Sequence, residues 1–224
     1  MKLRHAWPIL LLSGGAAGWL SCADIGAPSR SQAYEWRRIV PTGPGTADTM
    51  SFHWPQSRLP VRIWAEDVLG LPDHVRNGIE RWKAAFLYRE FDAILVADSG
   101  LADVVVRAGP PDKGGFSVVR LASAMAPECE GGTLFDLPEG SREIQLPIHI
   151  FLNARADPAT PAFDACMELT TTHELGHAIG ILTHSPSPSD IMFGDPTVPV
   201  PSEADRATAE LAYHSAATLT PGPR

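Results

Sequence analysis

The sequence predicts an α+β fold, because one strand-like and two helix-like patterns follow one another within a single chain of 224 residues. Residues 59–65, LPVRIWA, alternate apolar and polar side chains, as a strand with one buried face does. Residues 72–86 and 164–179 repeat apolar side chains at the spacing of a helix. A chain of this length usually forms one domain, and a hydrophobic fraction of 44% is ordinary for a globular protein.

The N-terminus has the features of a secretory signal peptide over residues 1–22. Lys2 and Arg4 precede an apolar run, and small residues follow at 21–23, where a signal peptidase could cut. The residues before Cys22 also resemble a bacterial lipobox, so a lipid anchor at Cys22 is the alternative. Because of this leader we expect a secreted protein, extracellular or periplasmic. No later segment has the roughly 18 apolar residues of a transmembrane helix, so we expect no transmembrane span.

The charge of the chain excludes one class of partner. Its formal net charge is −8. Removal of residues 1–21 would take away Lys2 and Arg4, leaving 16 basic against 26 acidic side chains, or −10. A protein this acidic would repel nucleic-acid phosphates, so we expect no nucleic-acid partner.

The first half of the domain follows a proline- and glycine-rich segment. Residues 23–50 predict a flexible lead-in, and residues 51–216 the domain itself. After the strand at 59–65, Pro72 and Asp73 favour the start of a helix. The apolar stripe of that helix predicts core positions for Val75, Ile79, Trp82 and Phe86.

The middle of the chain predicts further strands. Two short apolar runs, 93–96 and 103–106, predict neighbouring strands. Residues 132–137 and 143–153 predict an antiparallel pair joined by a turn. Pro147 fits the second of these poorly, because proline cannot donate a hydrogen bond to a ladder.

The last third of the chain predicts two more helices. The helix at 164–179 would pack on the sheet through Met167, Thr171, Leu175 and Ala178. Residues 199–213 predict a closing helix with Ser202 as its N-cap, and residues 217–224 predict a frayed tail.

One helix also carries the most informative motif. His173 and His177 are four residues apart, so at about 100° per residue they lie within roughly 40° of each other on one face. Imidazole nitrogens suit zinc, and a catalytic zinc uses three protein ligands. Glu174 lies beside the first histidine but off that face, where it can take a proton from metal-bound water. Gly180 lets the chain turn after the helix, and His184 follows as the third ligand.

These residues resemble the motif of the metzincin zinc endopeptidases, H-E-x-x-H-x-x-G-x-x-H followed by a Met-turn. Residues 173–180 match it position for position, and Asp190-Ile191-Met192 looks like the Met-turn. Thr183 occupies the place of the third histidine, and His184 comes one residue later. The chain therefore resembles the extended-turn variant, HExxHxxGxxxH, of some bacterial matrixin-like relatives.

The resemblance implies a twisted, mixed five-stranded sheet with an edge antiparallel strand, two long helices packed on it, and a C-terminal helix after the Met-turn. It also implies a zinc endopeptidase in which Glu174 is the general base and Met192 forms an apolar floor beneath the zinc. A protein or peptide substrate would bind as an extended strand along a sheet edge, for which residues 132–137 are the candidate.

Matrixins use the region corresponding to residues 109–130 for a second zinc and for calcium. In this chain prolines and glycines predict a long loop there, and the loop contains no histidine. We therefore expect one zinc ion, and a calcium site would have only Asp112 in its favour.

Two alternatives to this function remain open. Glu203 or Glu210 on the closing helix could replace His184 as the third ligand, as in a gluzincin-like peptidase. Phe193 stands where some metzincins have a tyrosine, which leaves a non-catalytic, zinc-stabilised binding protein as the second alternative.

The cysteines predict one disulfide within the domain. Cys22 lies at the leader boundary, which leaves Cys129 and Cys166 as a pair in an oxidising compartment. Two buried free thiols are the alternative. A bridge would pin the start of the histidine-bearing helix to the region of Cys129.

Overall fold

The structure, a computed structural model, describes residues 32–43, 45–109, 118–125, 129–154 and 157–224 of the chain. At 40–43, 118–125 and 154 it describes the backbone alone. The predicted signal peptide, Cys22 and Asp112 lie outside the described residues. Within the described part of the chain, no helix combines the length and the apolar character that a membrane crossing demands.

A mixed β-sheet forms the centre of the domain. A separate hairpin precedes it, made of β1 (Arg38–Gly43) and β2 (Thr46–Met50). The strands of the main sheet are β3 (Val61–Ala65), β4 (Ala93–Leu95), β5 (Val104–Ala108), β6 (Val118–Met125), β7 (Cys129–Asp136), β8 (Glu143–Ala154) and β9 (Thr220–Pro221). Their spatial order is β4-β3-β5-β8-β7-β6, and the short β9 pairs with β8. The pairs from β4 to β8 are parallel, whereas β7 is antiparallel to both β8 and β6.

Two helices cover one face of this sheet. α1 (Leu71–Lys83) packs on β3, β4 and β5, α2 (Pro161–Ile179) packs on β7 and β8, and the two helices contact each other. The predicted apolar stripe of the first helix is confirmed, since Val75, Ile79, Trp82 and Phe86 are all buried. Met167, Thr171, Leu175 and Ala178 of α2 are buried as well.

The closing helix, α3 (Glu203–Tyr213), begins at the predicted N-cap. Ser202 Oγ accepts a hydrogen bond from the Asp205 backbone N–H at 3.1 Å, and Asp205 Oδ2 accepts one from the Ser202 N–H at 2.8 Å. This reciprocal pair is a capping box, which satisfies two N–H groups that the helix itself cannot satisfy.

The predicted mixed sheet with three helices is confirmed, but its strand count is wrong. Six strands lie side by side where five were expected, because β6 forms within the region that its prolines and glycines predicted to be a loop. β6 pairs with β7 from Val118 opposite Asp136 to Met125 opposite Cys129. β4 and β5, predicted to be neighbours, are separated by β3, which pairs with both.

The predicted substrate edge is also wrong. Residues 132–137 belong largely to β7, whose two sides are occupied by β6 and β8. Pairing partners are chosen over long sequence distances, so the local pattern of one strand does not reveal whether another strand covers it.

Pro147 lies within β8, at a position where the strand tolerates a proline. Pairing of β8 with β5 begins at Ile148, one residue later. On the other side, the pairing with β7 shifts register between Leu134 and Asp136, which face His149 and Gln145. Pro147 thus lies at an irregularity of the ladder, where a residue without an N–H is tolerated.

Both ends of the described chain pack on the domain. Within the predicted flexible lead-in, Trp36 is buried and the strands β1 and β2 pair as a hairpin. The tail predicted to fray instead places β9 against β8 and buries Leu219. Arg224 Nε donates to Oδ1 of the buried Asp103 at 2.9 Å. Because a buried carboxylate requires a charged partner, this ion pair fixes the C-terminal residues to the domain.

Candidate metal centre

Three histidines come together at the C-terminal end of α2. His173 and His177 lie on the helix, and its C-cap residue, Gly180, has a φ of 128° that favours glycine. The chain then turns back and brings His184 to the other two. One ligand atom from each ring lies within 4.8 Å of the others. The extra residue that delays the third histidine is therefore accommodated in the turn.

The spacing of two rings matches tetrahedral coordination. His177 Nε2 lies 3.3 Å from His184 Nε2. In a tetrahedral zinc site with Zn–N bonds of about 2.0 to 2.1 Å, neighbouring nitrogens are about 3.3 to 3.4 Å apart. These two lone pairs could therefore share one ion without moving.

Hydrogen bonds fix which nitrogen of each helical histidine faces the ion. His173 Nδ1 lies 2.6 Å from the carbonyl oxygen of Ile191, and His177 Nδ1 lies 2.6 Å from that of Ile181. A carbonyl oxygen only accepts, so both Nδ1 atoms carry hydrogen and donate it. Each Nε2 is then left with the lone pair that a metal requires.

Burial keeps the helical imidazoles neutral. Desolvation lowers the pKa of His173 to about 3, and it lowers the pKa of His177 well below the usual value. Desolvation also lowers the pKa of the more exposed His184. His173 Nε2 is buried and has no hydrogen-bond partner. A neutral lone pair buried without a partner is costly in a protein interior, and a metal ion in this group of three would satisfy it.

The turn that carries His184 is held by three hydrogen bonds. The Leu182 N–H donates to the Trp36 carbonyl at 2.7 Å, and Thr183 Oγ1 donates to the carbonyl of Glu35. The Ser185 N–H donates to the Met192 carbonyl at 2.8 Å. Local sequence patterns gave no sign that residues 35 and 36 support the third histidine.

Asp190-Ile191-Met192, the predicted Met-turn, packs against the histidine-bearing helix. Met192 is fully buried, and its side chain packs against Gly176, between the two helical histidines. Asp205 Oδ2 accepts the Ile191 N–H at 2.8 Å, and Ile191 in turn holds the ring of His173. The carboxylate of Asp205 is therefore connected to the ring of His173 through the backbone of Ile191. The capping-box pattern could have identified Asp205 from the sequence. Its hydrogen bond to Ile191 could not have been predicted from any local pattern.

Glu174 points from α2 towards the sheet. Its side chain is fully buried, and Oε2 accepts a hydrogen bond from Thr133 Oγ1 of β7 at 2.8 Å. Gly131, two residues earlier on β7, also adjoins this carboxylate. Neither β7 residue was singled out from the sequence.

The predicted disulfide joins Cys129 and Cys166, with their Cα atoms 5.7 Å apart. Cys129 begins β7 and Cys166 lies in α2, two turns before His173. The bridge therefore ties together the two elements that carry Thr133 and Glu174.

The other sequence candidates lie elsewhere. Among the described residues, the three-histidine group contains neither Glu203 nor Glu210. Three further histidines have partners outside the group: His53 Nε2 with the Ser215 carbonyl at 3.1 Å, His74 with Asp164 at 3.7 Å, and His214 with Glu90 at 3.0 Å. The ring of His149 stacks with Phe151.

Comparison with known proteins adds no relative from which a function could be transferred. No protein-family model matches the chain, and no curated protein matches it either. Its chemistry is therefore inferred from the site: three imidazoles placed to hold one metal ion, with a buried glutamate directly after the first of them in sequence.

Proposed function

We propose that the protein is a secreted zinc-dependent endopeptidase in which His173, His177 and His184 bind the ion and Glu174 is the general base. The observation that carries this proposal is the convergence of the three rings, with His177 Nε2 and His184 Nε2 already 3.3 Å apart. Three protein ligands leave one position open, as in catalytic zinc sites, whereas structural zinc sites have four.

The donor set favours zinc over harder cations. Three neutral nitrogen ligands suit zinc and its transition-metal neighbours, whereas magnesium and calcium prefer oxygen. The two carbonyl acceptors behind His173 and His177 hold both rings in the orientation and tautomer needed for binding. Among the described residues, no carboxylate competes for the site.

Zinc, when bound, supplies a Lewis acid that polarises a substrate carbonyl and lowers the pKa of a water molecule to about 7. Glu174 then handles the proton: its carboxylate takes one from the attacking water and returns it to the departing amine. It follows His173 directly on α2, and its carboxylate lies against β7. The three imidazoles stay neutral throughout and transfer no proton.

The resemblance to metzincins supports a protein or peptide substrate. An extended peptide cannot add to β7 while β6 and β8 occupy both of its sides, so we propose no pairing of substrate with β7. The disulfide supports an oxidising location, which agrees with secretion.

The test compares wild-type protein with Glu174→Gln on unfolded casein, with and without a chelator. We expect chelator-sensitive hydrolysis by the wild type. The variant should bind a full equivalent of zinc by atomic absorption but lose roughly 10²- to 10⁴-fold in rate, since general-base catalysis contributes that much. Glu139→Gln, an exposed carboxylate in the turn between β7 and β8, is the matched control and should keep full activity. Wild-type turnover in Glu174→Gln would refute the proposed base.

One observation favours a second candidate, a zinc-stabilised protein without catalysis. The carboxylate of Glu174 is fully buried and accepts a hydrogen bond from Thr133, as a structural residue would. Zinc-dependent stability without hydrolysis of any substrate would support this candidate.

A further inference from the structure

Thr133 and Glu174 form a fully buried pair between the sheet and the histidine-bearing helix. Thr133 Oγ1 lies 2.8 Å from Glu174 Oε2 and 3.0 Å from the Glu174 carbonyl oxygen. The hydroxyl has one hydrogen to donate, and a carboxylate is the stronger acceptor of the two. The carboxylate is therefore held by a donor on a different element of the fold.

The strand that carries Thr133 is shaped to receive this carboxylate. Gly131 and Thr133 are two residues apart on β7, so they lie on the same face of the sheet. A Cβ atom built on Gly131 would collide with Glu174 Oε1 and would approach Glu174 Cγ to 2.8 Å. The absence of a side chain at Gly131 lets Glu174 lie directly against the strand.

The position of β7 is fixed by its neighbours in the fold. It is paired along both sides, with β6 and β8, and the Cys129–Cys166 bridge links its first residue to α2. Functional groups on paired strands and helices are held more precisely than groups on loops.

We infer that Thr133 is a positioning residue for the general base: its hydroxyl, with the space above Gly131, sets the orientation of the Glu174 carboxylate relative to the three histidines. This inference rests on the proposed function, in which Glu174 takes the proton of the attacking water. Proton transfer requires the base to lie within hydrogen-bond reach of that water. A displacement of about 1 Å can cost on the order of 10²-fold in rate.

The test uses Thr133→Val, which keeps the shape of the side chain but removes the donor, and Thr133→Ser, which keeps the donor. With a fluorogenic peptide derived from a casein cleavage site, we expect Thr133→Val to lower kcat by roughly 10- to 100-fold. KM and the zinc dissociation constant should stay within about twofold of wild type, because the three imidazoles are untouched. Thr133→Ser should restore most of kcat.

The matched control is Thr171→Val. Thr171 is equally buried, but its hydroxyl has no hydrogen-bond partner, so its removal should leave kcat unchanged. If Thr133→Val does not fold, as its melting temperature would reveal, Gly131→Ala tests the same contact from the other side. It should also lower kcat while zinc stays bound.

The outcomes separate the two proposals. Loss of kcat in Thr133→Val with unchanged zinc affinity and rescue by serine supports the positioning role. Wild-type kcat in Thr133→Val, together with an inactive Glu174→Gln, overturns the role of Thr133 and leaves the peptidase standing. A lower melting temperature with unchanged kcat means that Thr133 is structural only. Absence of chelator-sensitive hydrolysis in the wild type refutes the proposed function, and the inference with it.

Discussion

The hydroxyl of Tyr34 lies 2.6 Å from Oδ1 of Asp205, a residue 171 positions further along the chain. Asp205 also accepts the Ile191 N–H, and Ile191 accepts from His173. Burial raises the pKa of the Asp205 carboxyl, and burial together with the charge of Asp205 raises that of the Tyr34 hydroxyl. Tyr34, Asp205, Ile191 and His173 thus belong to one network of hydrogen bonds.

Tyr34→Phe should lower the free energy of unfolding by roughly 1 to 2 kcal/mol, because Asp205 loses a donor in a partly buried site. Urea denaturation at pH 7 measures this. The matched comparison is a double-mutant cycle with Asp205→Asn, in which the two effects should not add. Additive effects would show that the two side chains do not interact.

His184→Ala should weaken zinc binding by at least about 100-fold, because a site with two imidazoles retains only part of the coordination energy. Competition with a chromophoric chelator measures the dissociation constant. His214→Ala, whose ring pairs with Glu90, is the control and should bind zinc as the wild type does. Unchanged affinity in His184→Ala, with loss of zinc in Glu203→Ala or Glu210→Ala, would assign the third ligand to α3.

The double variant Cys129→Ser, Cys166→Ser should be less stable by up to about 4 kcal/mol, the chain-entropy value for a loop of this size. Thermal unfolding of the metal-free proteins measures the difference. Peptide mapping after alkylation of the denatured, non-reduced protein provides the check. Cys129 and Cys166 should remain unmodified, and labelling of both would contradict the bridge.

Arg224→Met should destabilise the protein by roughly 1 to 2 kcal/mol at pH 7, since Arg62 still accompanies the buried Asp103. Burial opposes ionisation of Asp103, but hydrogen bonds from Arg224 and Arg62 outweigh it and hold the pKa of this carboxyl below its usual value. A depressed carboxyl pKa contributes stability above the unfolded-state pKa of about 3.9, and that contribution is lost as the pH falls further.

The stability difference between wild type and Arg224→Met should therefore shrink below about pH 4. Urea titrations from pH 7 to pH 3 follow it. Arg76→Met, which removes an exposed ion pair with Asp73, should cost less than about 0.5 kcal/mol at any of these pH values. A difference that grows on acidification would contradict the assigned role of Asp103.

The helices and the grouping of the histidines were predictable because their signals are local. A stripe such as Val75, Ile79 and Trp82 repeats within one helix, and His173 and His177 are one turn apart. The Cys129–Cys166 pair was predictable because no third cysteine lies within the predicted domain.

The incorrect or missed predictions share one physical cause: each depends on a contact between residues that are far apart in the sequence. β6 was missed because its strand character depends on β7, and β7 was misplaced at the edge because β6 was missed. The C-terminal residues were expected to fray because the contact between Arg224 and Asp103 leaves no local pattern in the sequence. The two residues are 121 positions apart. Thr133 and Gly131 were overlooked because only the folded chain brings them to Glu174.

His173 and His184 are oriented by residues that lie far from them in sequence. Residues 35 and 36 bond the turn before His184, and Asp205 bonds Ile191. A peptide that contains only the helix and its two histidines would lack the contacts that orient the rings. Under the proposed function, tight metal binding would then require the completely folded domain, and a partly synthesised or clipped chain would neither bind the ion tightly nor hydrolyse substrate.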